Sequence, residues 1–404
     1  MSNKKYNVFF NTHTVSGIVV SIALYIIFLA GAFALFKVEI EAWEKGEWKD
    51  STRRENIDFD FLLKKLAEDN FLQSRDLKFY LEGDSNSIHL LMSAAKDTMN
   101  APKEAKTRCY KSLNLHTAEA TSYTESYSYG EFLYRLHFFS QLPRVGIYLA
   151  GVVSLLFFFA IVTGVIVHWK KMFSNFYQFN PKSSLKRIWS DAHTTLGFIG
   201  LPFQLIYALT GAYFGLSILV LIPANILYGG DRDKLMDDLR PDRKSYEWIS
   251  EGETEIPSVN NFVLKNFNRW EYLKPQYLLI KNYKGSNMRY ELIGELQDSE
   301  RFISSGIISY DIKNNLIEEL LNPYEFHYIS DIQKSLGRLH FANFGGQLLK
   351  VLFFILALMT CFVIVSGVLI WMEARNKKIG PQSNANFPLE QVLFIYPSVC
   401  PYFL

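Results

Sequence analysis

Four stretches of this chain lack charged residues over a length that crosses a lipid bilayer. They are residues 15–36, 145–167, 196–222 and 351–371. About 20 apolar residues, rising 1.5 Å each, cover the ~30 Å hydrocarbon layer. Within that layer only helices or closed barrels satisfy the backbone, and uninterrupted runs predict helices. The sequence therefore predicts an α-helical membrane protein, in agreement with a composition of 49% hydrophobic and 20% charged residues.

A duplicated pattern runs through the chain. The tetrapeptide RLHF occurs at 135–138 and again at 338–341, and the openings HTVSG and HTTLG start at His13 and His193. Two histidine-to-glycine spacings also recur, namely 18 residues (His13 to Gly31, His193 to Gly211) and 27 residues (His137 to Gly164, His340 to Gly367). Internal repetition of this kind indicates a structural unit used twice.

The predicted fold has four transmembrane helices in two parallel repeats, each of them a helix, an external domain and a second helix. The predicted transmembrane helices are 13–36, 144–168, 193–222 and 340–372, the small α+β external domains are 37–143 and 223–339, and the cytoplasmic loop and tail are 169–192 and 373–404. In each external segment a short amphipathic helix (59–70, 259–267) precedes alternating strand patterns, which predicts a helix packed on a small antiparallel sheet.

Positive charge near the helix ends predicts the orientation, because short cytoplasmic segments are rich in Lys and Arg. The basic residues concerned are Lys4, Lys5, Lys170, Lys171, Lys182, Lys186, Arg187, Arg375, Lys377 and Lys378. The amino terminus is therefore expected in the cytoplasm, and the two long polar segments outside. A net charge of +2 gives no reason to expect a nucleic-acid partner.

Five of the eight histidines flank the predicted membrane helices. Parallel repeats place His137 and His340 at matching depth near the outer surface, and His13, His168 and His193 near the inner one. Neutral imidazole is a common axial ligand of haem iron, and glycines such as Gly31, on the same helix face as His13, leave room for a flat macrocycle. Because His137 and His168 lie about 46 Å apart on a straight helix, two b-type haems are predicted.

The outer pair, His137 with His340, follows from this argument, whereas the inner pair stays open. Symmetry favours His13 with His193, and His168 competes with either. The absence of CxxCH excludes covalent haem attachment. Three alternatives remain: a zinc site at the inner histidines with Asp191, histidines that serve as interfacial anchors, and glycines that serve helix packing alone.

Several motifs resemble the PepSY-associated transmembrane helix family. They are the two HTxxG openings, the two RLHF copies, the TG and SG pairs at 163–164 and 366–367, IVHWKK at 166–171 and DAHTTLGFIGLPF at 191–203. The resemblance spans residues 10 to 375, and the external segments resemble PepSY domains. By motif position it assigns haem-iron ligand roles to His13, His137, His168, His193 and His340, whereas Gln204 stands where many relatives have a further histidine.

The resemblance implies a bacterial inner-membrane protein similar to ferric-siderophore reductases that hold two b haems. The expected partners are the lipid bilayer, a cytoplasmic or quinone electron donor and an external ferric chelate. One-electron transfer needs no catalytic acid, base or nucleophile, and no GxGxxG motif indicates dinucleotide binding. The alternative expectation is a non-enzymatic membrane module whose external domains bind peptides or partner proteins.

Overall fold

The structure is a computed structural model that describes residues 2–46, 57–81, 86–169, 185–252, 255–267, 269–270, 273–296 and 301–376. The predicted cytoplasmic loop falls mostly outside these residues, including Lys170, Lys171 and Lys182. The predicted tail from 377 onward, with Lys377 and Lys378, also lies outside them.

The described residues form helices α1 to α12 and strands β1 to β8. The helices are α1 Asn3–Ala34, α2 Lys37–Lys45, α3 Phe59–Asp69, α4 Tyr129–His137, α5 Gly146–His168, α6 Leu185–Ile199, α7 Leu201–Gly215, α8 Ser217–Leu227, α9 Arg232–Leu239, α10 Val259–Phe267, α11 Tyr328–Phe341 and α12 Gly346–Asn376. The strands are β1 Leu77–Tyr80, β2 Ser87–Met92, β3 Cys109–Asn114, β4 Ala120–Ser122, β5 Leu273–Lys281, β6 Arg289–Leu296, β7 Ser305–Asp311 and β8 Leu316–Leu321.

Three helices of the described chain are long and apolar enough to cross a membrane. They are Asn3–Ala34, Gly146–His168 and Gly346–Arg375. A fourth span exists if α6 and α7 count as one, although the two helices are bent by 70° at their junction. The sequence predicted one helix over 193–222 with Pro202 as a break inside it. In the structure Gly200 joins two helices, and Pro202, the second residue of α7, lacks the N–H that would continue the helical hydrogen bonds across the junction.

Close contacts between small residues hold the helical bundle together. A Cβ built at Gly151 of α5 would lie 2.8 Å from the backbone of Gly215 in α7, so the two helices meet at glycines. Around this contact, Val20 and Phe28 of α1 and Phe157 of α5 belong to one buried apolar cluster. Helices α5 and α7 therefore approach to backbone contact where these two glycines meet.

The two external segments share a single antiparallel sheet. Its eight strands run in the order β4-β3-β2-β1-β5-β6-β7-β8, so the first four come from one segment and the last four from the other. The two sets meet where β1 pairs with β5, with Leu77 opposite Ile280 and Phe79 opposite Leu278. The sequence predicted a separate sheet in each segment and gave no indication of this pairing.

Helices α3 and α10 cover one face of the sheet and cap each other. The Asp60 carboxylate accepts a hydrogen bond from the backbone N–H of Val259 at 2.8 Å. In return, the Asn260 side-chain oxygen accepts one from the N–H of Phe59, also at 2.8 Å. First-turn N–H groups have no partner inside their own helix, so this exchange ties the two external segments together.

Each RLHF motif ends a short helix that leads from the sheet to the bundle. Helix α4 ends at His137, and α5 begins at Gly146 after a turn in which Phe139 and Arg144 have positive φ angles of 54° and 68°. The sequence predicted that the last spanning helix begins at residue 340. In the structure, α11 carries His340 and ends at Phe341, and α12 begins at Gly346.

Phe79 on β1 tests how much the apolar packing behind the central strand pair contributes to stability, because its side chain is 0% exposed. We expect Phe79→Ala to lower the free energy of unfolding by about 3–5 kcal/mol. Phe61→Ala is the matched control, since Phe61 on α3 is 36% exposed and its loss should cost about 1 kcal/mol. Unfolding of the full chain in detergent, followed by tryptophan fluorescence, measures both. Equal losses would contradict the prediction.

Candidate functional site

Two histidines meet on the side of the bundle next to the sheet. The ring centres of His137, at the end of α4, and His340, on α11, lie 5.9 Å apart. Both side chains are partly buried. We call His137 and His340 the sheet-side pair. Their approach follows from the two short helices, each of which carries one histidine from the sheet to the bundle.

A second pair lies near the opposite end of the bundle. The ring centres of His13, on α1, and His193, on α6, are 6.2 Å apart. We call His13 and His193 the far-side pair. Each pair thus joins one residue of the first half of the chain to one residue of the second half.

Hydrogen bonds fix the tautomer of three of these rings. The Nδ1 atoms lie at hydrogen-bond distance from helix carbonyl oxygens: His137 to Ile27 at 2.7 Å, His13 to Ala160 at 2.8 Å, and His193 to Val363 at 2.9 Å. A carbonyl oxygen only accepts, so each Nδ1 has to donate its hydrogen. In the neutral ring Nε2 then carries a lone pair, which is the form that binds a metal.

Thr210 fixes the fourth ring in the same way. Its hydroxyl donates to the backbone oxygen of Ile206 at 2.7 Å and lies 2.8 Å from Nδ1 of His340. Because the single hydroxyl hydrogen is used toward Ile206, the oxygen accepts from the N–H at Nδ1 of His340. The neutral His340 ring therefore also presents an unprotonated Nε2.

Three glycines make room for the imidazoles. A Cβ built at Gly31 would lie 2.6 Å from Nδ1 of His137, and one at Gly164 would lie 3.0 Å from Cε1 of His13. Gly367 has the same relation to His193, also at 3.0 Å. The sequence predicted that Gly31 shares a helix face with His13. The structure places Gly31 against His137, because α1 passes both pairs, one near each of its ends.

A cavity of about 420 Å³ adjoins the sheet-side pair, and both rings line it. Its other walls are mostly apolar and include several residues too small to fill the space: Gly31, Ala32, Ala150, Ser154, Gly211, Gly215 and Ala357. Cavities of 300–1,000 Å³ with apolar walls and a few polar groups are typical of cofactor sites. The sheet-side pair therefore has space beside it for a bound group.

The ring separations match two imidazoles that share one metal. A metal ion about 2 Å from each of two opposed nitrogens holds the ring centres roughly 6 Å apart, because each centre lies roughly 1 Å behind its nitrogen. The observed values are 5.9 Å and 6.2 Å. Each pair would therefore be spaced to hold one metal ion between its two imidazoles.

The remaining histidines take other positions. His168 ends α5 close enough to His13 and His193 to influence them electrostatically, but the ring contact of the far-side group joins His13 to His193. His89 lies on β2 against Tyr110, and His116 follows β3. Among the described residues, no group of three or more His, Cys, Asp or Glu side chains is arranged to hold a metal ion, which counts against the zinc alternative there.

Aromatic residues surround the sheet-side pair, and the sequence did not predict them as part of the site. The Tyr207 ring lies 5.1 Å from that of His340, and its hydroxyl donates to the His340 backbone oxygen at 2.9 Å. Phe203 contacts Tyr207 at 4.5 Å, and Phe28 contacts Phe157 at 5.4 Å. Thr210 could have been found, because it directly precedes Gly211, whose spacing from His193 was recognised.

A protein-family model matches a range of the chain that includes both the bundle and the sheet. The model of the PepSY-associated TM region matches residues 10–374. A comparison with curated proteins found no match.

Gly31→Ala tests whether the space beside His137 matters for binding. The added methyl group would overlap the ring. If the sheet-side pair holds one of two haems, the variant should therefore contain about half the haem of the wild type. Gly17→Ala on the same helix is the matched control, because a Cβ there meets nothing within 4 Å. Haem per purified protein, from absorbance, measures the effect, and equal contents in the two variants would contradict it.

Proposed function

Because the chain belongs to the PepSY-associated transmembrane family, we propose that it transfers electrons across a membrane through two b-type haems. The acceptor in this proposal is a ferric chelate on the side of the sheet, as in a ferric-siderophore reductase. The chain is a multi-pass membrane protein, and the proposed location is the bacterial inner membrane with the amino terminus in the cytoplasm. A cytoplasmic or quinone donor would supply the electrons.

The observation that carries the proposal is the presence of two histidine pairs, one near each end of the same bundle. The ring centres lie 5.9 Å apart in the sheet-side pair and 6.2 Å apart in the far-side pair, and each pair would hold one haem. A single pair would serve a protein that binds haem on one side. Two pairs near opposite ends of the bundle would hold two haems in series across a bilayer.

Hydrogen bonds within the chain would prepare the four imidazoles to bind iron. The bonds from Nδ1 to Ile27, Ala160, Val363 and Thr210 set the tautomer and fix the ring orientation. Partners of this kind, one bond beyond the metal ligand, typically change metal affinity 10- to 100-fold. When bound, haem iron supplies reversible one-electron transfer.

Aromatic residues form part of the surroundings of the sheet-side pair. Phe28 contacts Phe157, Phe203 and Tyr207, and Phe203 also contacts Tyr207. An apolar surrounding controls solvent access and tunes the potential of a bound metal centre. No general acid, base or nucleophile is required, because the proposed reaction moves one electron and breaks no bond in the protein.

Single histidine substitutions test which residues hold haem. We expect His137→Ala and His340→Ala each to lose one haem, and His13→Ala and His193→Ala each to lose the other, because every haem iron depends on two imidazoles. His168→Ala should keep both haems, and His116→Ala in the external segment is the control. Haem per protein and the reduced-minus-oxidised spectrum measure the outcome.

Full haem content in His137→Ala or His340→Ala would contradict the sheet-side assignment. Loss of a haem from His168→Ala, with full content in His13→Ala or His193→Ala, would contradict the far-side pair. A colourless wild-type protein with full helicity, from cells supplied with haem, would instead support the non-enzymatic module.

Reduction of an external ferric chelate has its own test. Wild-type protein, reduced with dithionite and freed of the excess, should be reoxidised on mixing with ferric citrate, and ferrous iron should appear in a trapping assay. Gallium citrate is the matched control, because gallium(III) is not reduced under these conditions. The fall in the reduced-haem absorbance in a stopped-flow instrument gives the rate. Equal rates with iron and gallium would contradict the proposed acceptor.

A further inference from the structure

One arginine reaches the cavity of the sheet-side pair. Arg243 ends a short 3-10 turn, Pro241–Arg243, between α9 and the sheet, and its side chain lines the cavity. Among the described lining residues it is the one with a permanent charge; the others are apolar, tyrosine, serine or histidine. Its guanidinium makes no hydrogen bond or salt bridge with the part of the chain that the structure describes.

The neighbouring carboxylate is already engaged with another arginine. Asp242 is 7% exposed and receives two hydrogen bonds from Arg240, at 2.9 Å and 2.7 Å. Burial alone would raise the pKa of Asp242, but these bonds and the Arg240 charge lower it to about 2. Asp242 is therefore an anion whose two oxygens each accept a hydrogen bond from Arg240.

A lysine adds to the positive charge near Arg243. Lys78 lies on the sheet face opposite α3 and α10, with its Nζ 3.7 Å from the centre of the Tyr277 ring. Burial lowers the pKa of Lys78 to about 8, and the charges of Arg240 and Arg243 act in the same direction. Asp242 thus interacts with four cations, Lys78, Arg240, Arg243 and Lys334. Lys334 also interacts with Glu295 and Asp331. Positive charge around Asp242 therefore exceeds the charge of this one carboxylate, and an added anion would offset it.

The shape and charge of the cavity suit one kind of ligand. Its lining is mostly apolar and includes Arg243, whose guanidinium can bind a carboxylate in a bidentate manner. A b-type porphyrin has the complementary form, a flat apolar ring with carboxylate side chains along one edge.

We propose that Arg243 binds a propionate carboxylate of the haem at the sheet-side pair and so orients that haem with its carboxylate edge toward the sheet. The inference rests on the proposed function. Arg243 acts as a positioning residue, because it contacts neither iron nor the ferric chelate in this arrangement. Lys78 contributes through its charge alone.

Haem release from three purified full-length variants tests the inference. Excess apomyoglobin takes up haem released from the wild type, Arg243→Gln, Arg243→Lys and Arg269→Gln. We expect Arg243→Gln to release one of its two haems about 10-fold faster, because a charge-assisted hydrogen bond is lost, and Arg243→Lys to release it at a rate closer to wild type. Arg269→Gln is the matched control, since Arg269 binds Glu319 on β8. The haem of the far-side pair is an internal control within each sample.

The reduction potential provides a second readout that a purely structural role would not move selectively. A nearby positive charge favours the electron-rich reduced state, so Arg243→Gln should lower the potential of the sheet-side haem and Arg243→Lys should leave it close to wild type. The potential of the other haem should stay constant.

Haem dimethyl ester identifies the group that Arg243 binds. Protein from haem-limited cells is loaded either with haem b or with its dimethyl ester, which lacks free carboxylates. We expect wild type and Arg243→Gln to release the ester at equal rates. A persistent difference would mean that Arg243 acts on another anion, such as a carboxylate of the external chelate, and would overturn the assignment.

The outcomes separate this inference from the proposed function. Wild-type protein with two haems, together with wild-type release rates and potentials in Arg243→Gln, would overturn the role of Arg243 alone. Wild-type protein without haem would overturn the proposed function and this inference with it.

Discussion

The hydrogen bond from each paired imidazole to an oxygen of a neighbouring helix is the interaction on which the site depends. It ties α4 to α1, α1 to α5, α6 to α12 and α11 to α7, so one set of bonds joins helices from every part of the bundle. A buried polar ring without such a partner would cost the desolvation of its N–H. The same bond leaves Nε2 as the nitrogen that is available for a metal. Satisfying the buried N–H during folding therefore also sets the metal-binding form of the ring.

The spanning helices were predictable to the extent that hydrophobic length decides them. Charge-free runs identified α1, α5 and α12, because a bilayer requires about 20 apolar residues whatever their order. Pro202 was predicted to break the third span, but the 70° bend between α6 and α7 was not, since the direction of the chain after Gly200 depends on packing and not on hydropathy. The start of α12 was also placed too early, because RLHF was taken as part of the span.

The histidine pairs were predictable from spacing, whereas their surroundings were not. Equal spacings in the two halves indicated matching depth for His137 and His340. In the structure their ring centres lie 5.9 Å apart. The choice of His193 over His168 as the neighbour of His13 needed three-dimensional packing. Arg243 could not be predicted for a similar reason, because its position depends on how the sheet lies over the bundle. The pairing of β1 with β5 joins residues about 200 positions apart, and no local sequence pattern indicates such a contact.

The central pairing of β1 with β5 lies within one polypeptide, and this has a consequence for divergence. If the two halves were separate chains, their association would depend on their concentrations, whereas a covalent link makes the association intramolecular. In a symmetric homodimer every substitution appears twice, so both copies change together. In a single chain the two halves can change independently. A threonine hydroxyl accepts the hydrogen bond from His340, for example, whereas a backbone carbonyl accepts the one from His137.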